Sequence, residues 1–443
     1  MPKITITEKE DLSLGQLSAI ENVVLAPLFV NEITDEMKLP KKYTLYKDFE
    51  ADFKDAVISE GEDGEILDKS YYYIKELLGM GLHVVVKPVE CEVSSEGTSE
   101  GLDLCKLINE AVNKEDGLFD EFKDRNLYNI KFITTGAYAN WNVESGCYKK
   151  LAEIANARGD AIALIELDSE TDLVKSNFMK SLVDKSSSNY IDIEEVVDPD
   201  SSLKLGMCFE NAACFYPWGT YVMNFSNSKI LEMPASFGYL VAFAYSIQVN
   251  EDWLSASGVS RGYIPNLKSL NFMIGDSFMH ILQGDEYAWQ EEGIISRFYP
   301  IRINPIMFKG TYGNRIWGDR VFSWYNSAEA NAVTESNISY KEYLNVRVLL
   351  CDIKKQIYAS AVRMTFEPND DITWINFKGL INNLLDRMQN SRGINWYAWQ
   401  REYTEKKATI KATLLIRPIE PVEDFEINVQ LTDQDATVIE PEI

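Results

Sequence analysis

The sequence predicts a multidomain chain of mixed α/β and α+β class, and three stretches carry that expectation. Ile130–Thr134, Cys147–Arg158 and Ala161–Leu167 read in order as strand, amphipathic helix and strand, with Gly136 after the first strand and Gly159 closing the helix. The second strand, AIALIEL, is apolar but for one Glu, the pattern of a parallel strand covered on both faces. Ser339–Met364 and Trp374–Gln389 carry helical spacing. Ala408–Leu431 holds two strand-like runs, Thr409–Ile416 and Phe425–Leu431, split by Pro418 and Pro421, which remove two backbone donors and forbid helix. In the second run Phe425, Ile427, Val429 and Leu431 alternate with Glu426, Asn428 and Gln430, so one face is to be buried. Only a polar tail follows. Such a strand, beyond a stiff proline linker, pairs either within its own domain or with another molecule.

The bulk properties suit that class. At 443 residues and 46 % apolar composition the chain is long enough for two or three packed domains. Its formal charge of −26 argues against nonspecific nucleic-acid binding. Six scattered cysteines without a CxxC pair, and no signal peptide at MPKITITEKE, lead to an expectation of reduced thiols. The apolar runs stop well short of about 18 residues, so no transmembrane helix and no membrane insertion is expected.

Taken in order, Lys3–Thr7 is a short alternating strand and Ile20–Val30 a hydrophobic one. Thr44–Phe53 reads as a short helix, and Ser70–Leu78 as another with Ser70 as cap, ending at Gly79-Met80-Gly81 before the buried strand Leu82–Val86. Leu102–Val112 is helical, Cys208–Asn224 contains a strand ahead of Pro217-Trp218, and Ala235–Asn250 is a buried helix. Lys175–Lys185 is a further helix, and Ile264–Ile274 and Ile294–Ile306 carry strands. In Ser339–Met364 the residues Tyr343, Val346, Leu350, Ile353, Ile357 and Ala361 line one face behind a Ser339/Glu342 capping box. In the next helix Ile375, Leu380, Ile381, Leu384, Leu385 and Met388 point inward, and Gly393 ends it.

Charge is uneven. Lys341–Arg417 holds about 13 basic and 8 acidic residues, whereas Glu420 to the end has about 8 acidic and no basic ones. That contrast fits either two solvated faces or electrostatic pairing with a partner.

Catalytic constellations are sparse. His83 and His280 are the only histidines, and His83 sits on an apolar strand. Gly275-Asp276-Ser277 echoes the GDS block of one serine-hydrolase class with Ser277 as nucleophile, but no histidine follows His280 and a base three residues from the nucleophile is not a triad spacing. Asp198, Asp200 and Asn369-Asp370-Asp371 are acidic clusters without EF-hand spacing, and the latter suits a turn before a helix. No cofactor or metal is expected, and no enzymatic activity; a soluble hydrolase using Ser277 is the alternative.

The blocks LAPLFV, SYYYIKELLGMGLHVVVKPV, LAEIANARGDAIALIEL, FYPWG, MPASFGYLVAFAYS, INPIMFKGTYGNRIWGDRVFS, YLNVRVLLCDIKKQIYASAVRMTFEPNDDITWINFKGLINNLL and ATLLIRPIEPVEDFEINVQLT follow one another in an order that resembles the sheath proteins of contractile phage tails and related injection machines. The likeness is densest from Pro217 to Leu431, with Asn304-Pro305, Gly313–Gly318 with Arg320, Asn345-Val346-Arg347 and Phe366–Asn369 its most specific pieces. Residues 90–124 and 168–204 depart from it as variable segments, and Asn314 replaces a small or apolar residue.

The resemblance implies an N-terminal arm (1–22), a β-rich outer region (23–124), a middle α/β domain of subtilisin-like topology (125–295), an inner C-terminal α+β domain (296–422) and a C-terminal arm (423–443). It implies that the arms donate strands to neighbouring subunits through Ile4, Thr5, Ile6, Thr7 and through Phe425, Ile427, Val429, Leu431. Thr409, Lys411, Thr413 and Leu415 would form the acceptor strand, and Lys378, Arg387 and Arg392 would face an acidic tail tube. The implied function is a structural subunit forming stacked hexameric rings as a six-start helical sheath, which contracts during genome delivery. The implied partners are further copies of the chain, the tube, baseplate and tail terminator proteins, in a virion tail assembled in the bacterial cytoplasm. A sheath of a phage-derived injection system or tailocin is equally compatible with these blocks.

Overall fold

Strand-forming segments from most of the chain length meet in one sheet. The structure, a computed structural model, describes residues 20–34, 37–54, 68–91, 103–141, 145–167, 211–271, 303–322, 342–402 and 409–422. Its strands are β1 (Val23–Val30), β2 (Lys41–Tyr43), β3 (His83–Glu90), β4 (Phe132–Ile133), β5 (Ile162–Glu166), β6 (Ala212–Tyr216), β7 (Gly219–Met223), β8 (Lys229–Met233), β9 (Leu267–Leu270), β10 (Ile303–Phe308), β11 (Asn314–Ile316), β12 (Ile394–Glu402) and β13 (Lys411–Pro418). The helices are α1 (Tyr46–Phe53), α2 (Ser70–Gly79), α3 (Leu104–Asn113), α4 (Tyr148–Arg158), α5 (Ala235–Ser246), α6 (Gly258–Arg261), α7 (Leu344–Met364) and α8 (Asp371–Asn390).

The main sheet has the order β11-β10-β6-β5-β4-β1-β3-β2. Its inner pairings are parallel, while β2 and β11 are antiparallel edges. Parallel strands are covered on both faces, and alternation within β1 shows how: Val24, Ala26, Leu28 and Val30 join the core that holds α2 and α5, while Val23, Leu25 and Phe29 join the core that holds α3 and α4. Pro27 sits in this central strand without forfeiting a ladder bond to β4, because β4 pairs only as far as Leu25 and the chain turns away at Gly136, with φ of +74° beside Pro27. A small antiparallel sheet, β8-β7-β9, lies beside it, and Asn227 and Ser228, both at positive φ, make the β7–β8 turn.

The sheet runs across both expected boundaries, 124/125 and 295/296, since β1, β3, β4–β6, β10 and β11 all belong to it. The segment expected to be a β-rich outer region contributes α1, α2 and α3 as well as three strands. The β-α-β unit from Ile130 to Leu167 is present with parallel β4 and β5, and Gly159 caps α4 at φ +69°. Lys175–Lys185, Asp198, Asp200, Ser277 and His280 lie outside the described residues.

Several local expectations are corrected. Ser70 is the first residue of α2; its N–H donates to Asp68 Oδ1 at 2.9 Å, so the aspartate two residues earlier serves the helix start. Ser339 of the expected capping box lies outside the described residues; α7 starts at Leu344 behind Tyr343, which makes no side-chain cap bond. Ile375 is 63 % exposed, not inward. Ala361 is also exposed, and the first half of α7 is buried almost all round because it serves two cores: Leu344, Val348 and Cys351 pack on the main sheet, whereas Leu349 and Ile353 pack with α8. The Asn369–Asp371 cluster is a helix start, with Asp370 accepting from the Thr373 N–H at 2.8 Å.

Candidate functional site: the C-terminal sheet and its joint

The chain ends its described course in a two-stranded antiparallel sheet, β12-β13, laid on α8. A hairpin alone is marginal in water, and this one is held by one face. Tyr397, Trp399, Leu414 and Ile416 pack toward the α8 core, Trp399 meets Trp374 edge-on at 5.7 Å, and its Nε1 donates to Asn382 Oδ1 at 2.9 Å. Tyr397 donates to Asp386 at 2.6 Å, and Arg401 pairs with Asp371 at 2.6 Å.

The opposite face carries Lys411, Thr413 and Leu415, all exposed, with Trp396 half-exposed beside them. The expected acceptor strand is therefore shifted by two residues, from Thr409–Ile416 to Lys411–Pro418, and Thr409 precedes it. Among the described residues both outer edges of this sheet lack a strand partner. The donated strands Ile4–Thr7 and Phe425–Leu431 lie outside the described residues.

Both described ends of the chain leave from the base of this sheet. Ile20 packs on the core of Trp253, Leu349 and Ile394, and the Ile419 N–H donates to the Gly393 carbonyl at 3.1 Å. A Cβ on Gly393 would sit 2.7 Å from the Trp253 indole, so the start of β12 and Trp253 touch at this point.

The same place is the joint between the main sheet and the C-terminal unit, and three consecutive residues hold it. Glu251 takes the Arg387 guanidinium of α8, which also lies 5.3 Å from the centre of the Trp253 ring. Asp252 accepts from Lys131 Nζ at 2.6 Å, and Lys131 stands just before β4 with no exposed surface. Trp253 fills the α8 core. Lys131 also reaches Asp352 of α7 at 2.9 Å, a carboxylate with no exposure. Lys355, one turn further on, donates to the Ile130 carbonyl at 2.8 Å.

Burial pushes the Asp352 carboxyl up to about 6 against the pull of Lys131. Burial, helped by Lys131, brings Lys355 down to about 8. Single charges inside otherwise apolar runs, Lys131 in IKFI and Asp352 in LLCDI, were the sequence signal for this joint; which charges would meet was not legible.

The expected tube-facing residues do not share one surface. Lys378 and Arg387 are nine residues apart on α8, which places them about half a turn apart. Lys378 lies over the Trp374 ring at 5.8 Å, Arg387 is committed to Glu251, and Arg392 is exposed just past the helix at φ +63°. Asn304, singled out by its motif, has a structural role. It takes the Arg320 N–H and donates to the carbonyls of Cys214 and Arg320, tying β10 to β6. His83 is half-buried at the start of β3, its pKa lowered by burial and then by Lys42. Among the described residues no cluster suits a metal ion, and no helix is long and apolar enough to cross a membrane.

The described residues thus form an α/β body with helices on both faces of the main sheet, and a terminal two-stranded sheet whose edges lack a strand partner among them. No family model matches the chain. Over 203 residues, 44 % of its length, it is 24 % identical to a tail sheath protein of Vibrio phage KVP40, and the match spans about a quarter (26 %) of that relative. Over 98 % of its length it aligns with 99 % of a chain in the anti-feeding prophage baseplate, 6-fold symmetrised, at 13 % identity and a TM-score of 0.59. It likewise covers 98 % of a chain in the contracted PVC sheath complex, an extracellular contractile injection system, at 14 % identity and a TM-score of 0.55. The chain has the fold of contractile sheath proteins, and its resemblance to the tail sheath family holds in both local sequence and fold. The proteins it matches are structural, not enzymes.

Proposed function

We propose that this chain is a sheath subunit that polymerises as stacked hexameric rings, a six-start helix around a tail tube, and contracts to drive the tube through a host envelope. The observation that carries this reading is the β12-β13 sheet, whose edges are open among the described residues beside the exits of both terminal segments. Strands Ile4–Thr7 and Phe425–Leu431 of neighbouring copies would complete it, with backbone hydrogen bonds supplying affinity and alternating side chains the register. A mesh of this kind stays connected while bodies rotate, because the linkers absorb the motion. The energy for contraction is stored at assembly, in an extended state held by tube, baseplate and terminator contacts. Assembly would take place in the bacterial cytoplasm, and the finished protein would reside in the tail.

Lys378 and Arg392 remain the proposed tube contacts. Arg387 would reach the tube only by leaving Glu251, so neutralising it acts first on the joint. A second reading, the sheath of an injection system with no genome to deliver, is favoured by alignment over nearly the full chain with anti-feeding prophage and PVC chains.

The test is truncation after Val422. The shortened chain should remain folded and soluble by circular dichroism yet form no tubes or rings in negative-stain micrographs, whereas the full chain does. Unfolding of the truncated chain would place the strand at home and refute donation.

A further inference from the structure

The edge of the main sheet formed by β11 has a chemistry opposite to that of the whole chain. Segments 253–271 and 303–318 hold Arg261, Lys268, Lys309 and Arg315 and not one Asp or Glu, in a chain of net charge −26. Helix α5 and the turn after it, residues 235–250, carry no charge at all. Among the described residues here Tyr245, Val259, Phe308 and Tyr312 are exposed, and Val249, past the end of α5, is 82 % exposed; residues 272–302, which join the two segments, lie outside the described residues.

The surface is built. Tyr245 and Tyr263 meet ring to ring at 5.4 Å, and the Arg315 guanidinium lies 4.4 Å over Tyr263. Arg315 donates through Nε to the Val259 carbonyl at 3.0 Å and through Nη1 to the Asn314 carbonyl at 2.8 Å. Gly310 and Gly313, at φ +56° and +72°, make the turn that presents Tyr312.

Two features say what kind of occupant fits. Arg315 is only 9 % exposed, yet among the described residues its partners are carbonyls and an aromatic face, so its charge lacks an anion. The outer backbone of β11 is already used, since the Ile316 N–H donates to the Gly262 carbonyl, so a ligand binds here through side chains rather than as an added strand.

We propose that this cationic, aromatic edge is the docking site for the acidic C-terminal segment, residues 432–443. That segment carries Asp433, Asp435, Glu440 and Glu442 and no Lys or Arg, with Val438, Ile439 and Ile443 between and beyond them to meet the aromatic surface. Ile419, three residues before the described chain ends at Val422, bonds Gly393, which touches Trp253, where the cationic stretch begins. Residues 423–432 extended span roughly 33 Å. The inference is independent of strand donation, because the segment follows Leu431 and docks on whichever copy that strand reaches.

The experiment uses the full chain and follows removal of C-terminal residues by carboxypeptidase, read by mass spectrometry at low salt. Removal should be about tenfold slower in the wild type than in Arg261→Glu/Lys309→Glu, as expected for several weak charge pairs acting together. Tyr312→Ser, a loop substitution that leaves every cation in place, should also speed removal. In about 0.5 M salt, where screening shortens to roughly 4 Å, the difference should vanish. Adding Asp433→Lys, Asp435→Lys, Glu440→Lys and Glu442→Lys to the Arg261→Glu/Lys309→Glu chain should restore protection. Equal digestion of wild type and Arg261→Glu/Lys309→Glu overturns the proposal. So does a swapped chain without restored protection, or a change in polymerisation alone, which would assign the edge to another copy's body.

Discussion

Replacing Lys131 by Met removes the fully buried ammonium of the joint while keeping much of the side-chain volume. Lys131 has no exposed surface and serves Asp252 at 2.6 Å and Asp352 at 2.9 Å. Removing one partner of a buried pair costs about 3–5 kcal/mol, because the remaining charge is stranded. The stranded group is Asp352, which has a limited escape: it takes up a proton. At pH 7 that route costs at most about 4 kcal/mol, the distance from its ordinary pKa at 1.36 kcal/mol per unit.

The pH dependence follows from the sign of the shift. The folded pKa of Asp352 already lies above the unfolded one, at about 6, and losing Lys131 raises it further. A carboxyl raised in the folded state loses stability as pH rises from about 4 through its folded pKa. The deficit of Lys131→Met relative to wild type should therefore be small near pH 4.5 and approach its full size by pH 8. Urea titrations read by far-ultraviolet circular dichroism at the two pH values measure it. Lys131→Met/Asp352→Asn should recover much of the loss, since the fully buried carboxylate is then gone and Asp252, the other partner, keeps some solvent contact. A deficit below about 1 kcal/mol at pH 8, or one that grows toward acid, would refute the joint as an ion-paired lock.

Two further outcomes follow from backbone and packing. Phe366 is fully exposed and sits at φ +73°, a conformation that costs a non-glycine residue about 1–2 kcal/mol, so Phe366→Gly should raise the melting temperature of the isolated chain by a few degrees. Unchanged or lower melting in calorimetry would contradict that. Gly393→Ala places a methyl 2.7 Å from the Trp253 indole and 3.0 Å from Leu349, overpacking the joint by about 1–3 kcal/mol. Trp253 fluorescence and melting should both report the disturbance, and an unperturbed chain would refute the close approach.

Local chemistry determined much of this protein before tertiary contacts entered. Alternation and glycine placement marked β1, α4, β5 and α5, because burial on one or two faces leaves a period in the chain and a left-handed cap selects Gly159. The order of motifs pointed to the sheath proteins, and the fold comparison bears out that likeness. Tertiary structure alone decided the rest. That β10 and β11 join the same sheet as β1 depends on pairing between residues far apart in sequence, which no local period encodes. The spacing of α7 predicts a single buried face, whereas its first half is buried on nearly all sides because two cores claim it. Ile375 was expected inside from spacing alone, but the hairpin covers only one side of α8. Lys131, Asp252 and Asp352 become a lock only when three distant segments converge around the fully buried Lys131 and Asp352, where an unpaired charge costs several kcal/mol and a paired one is held.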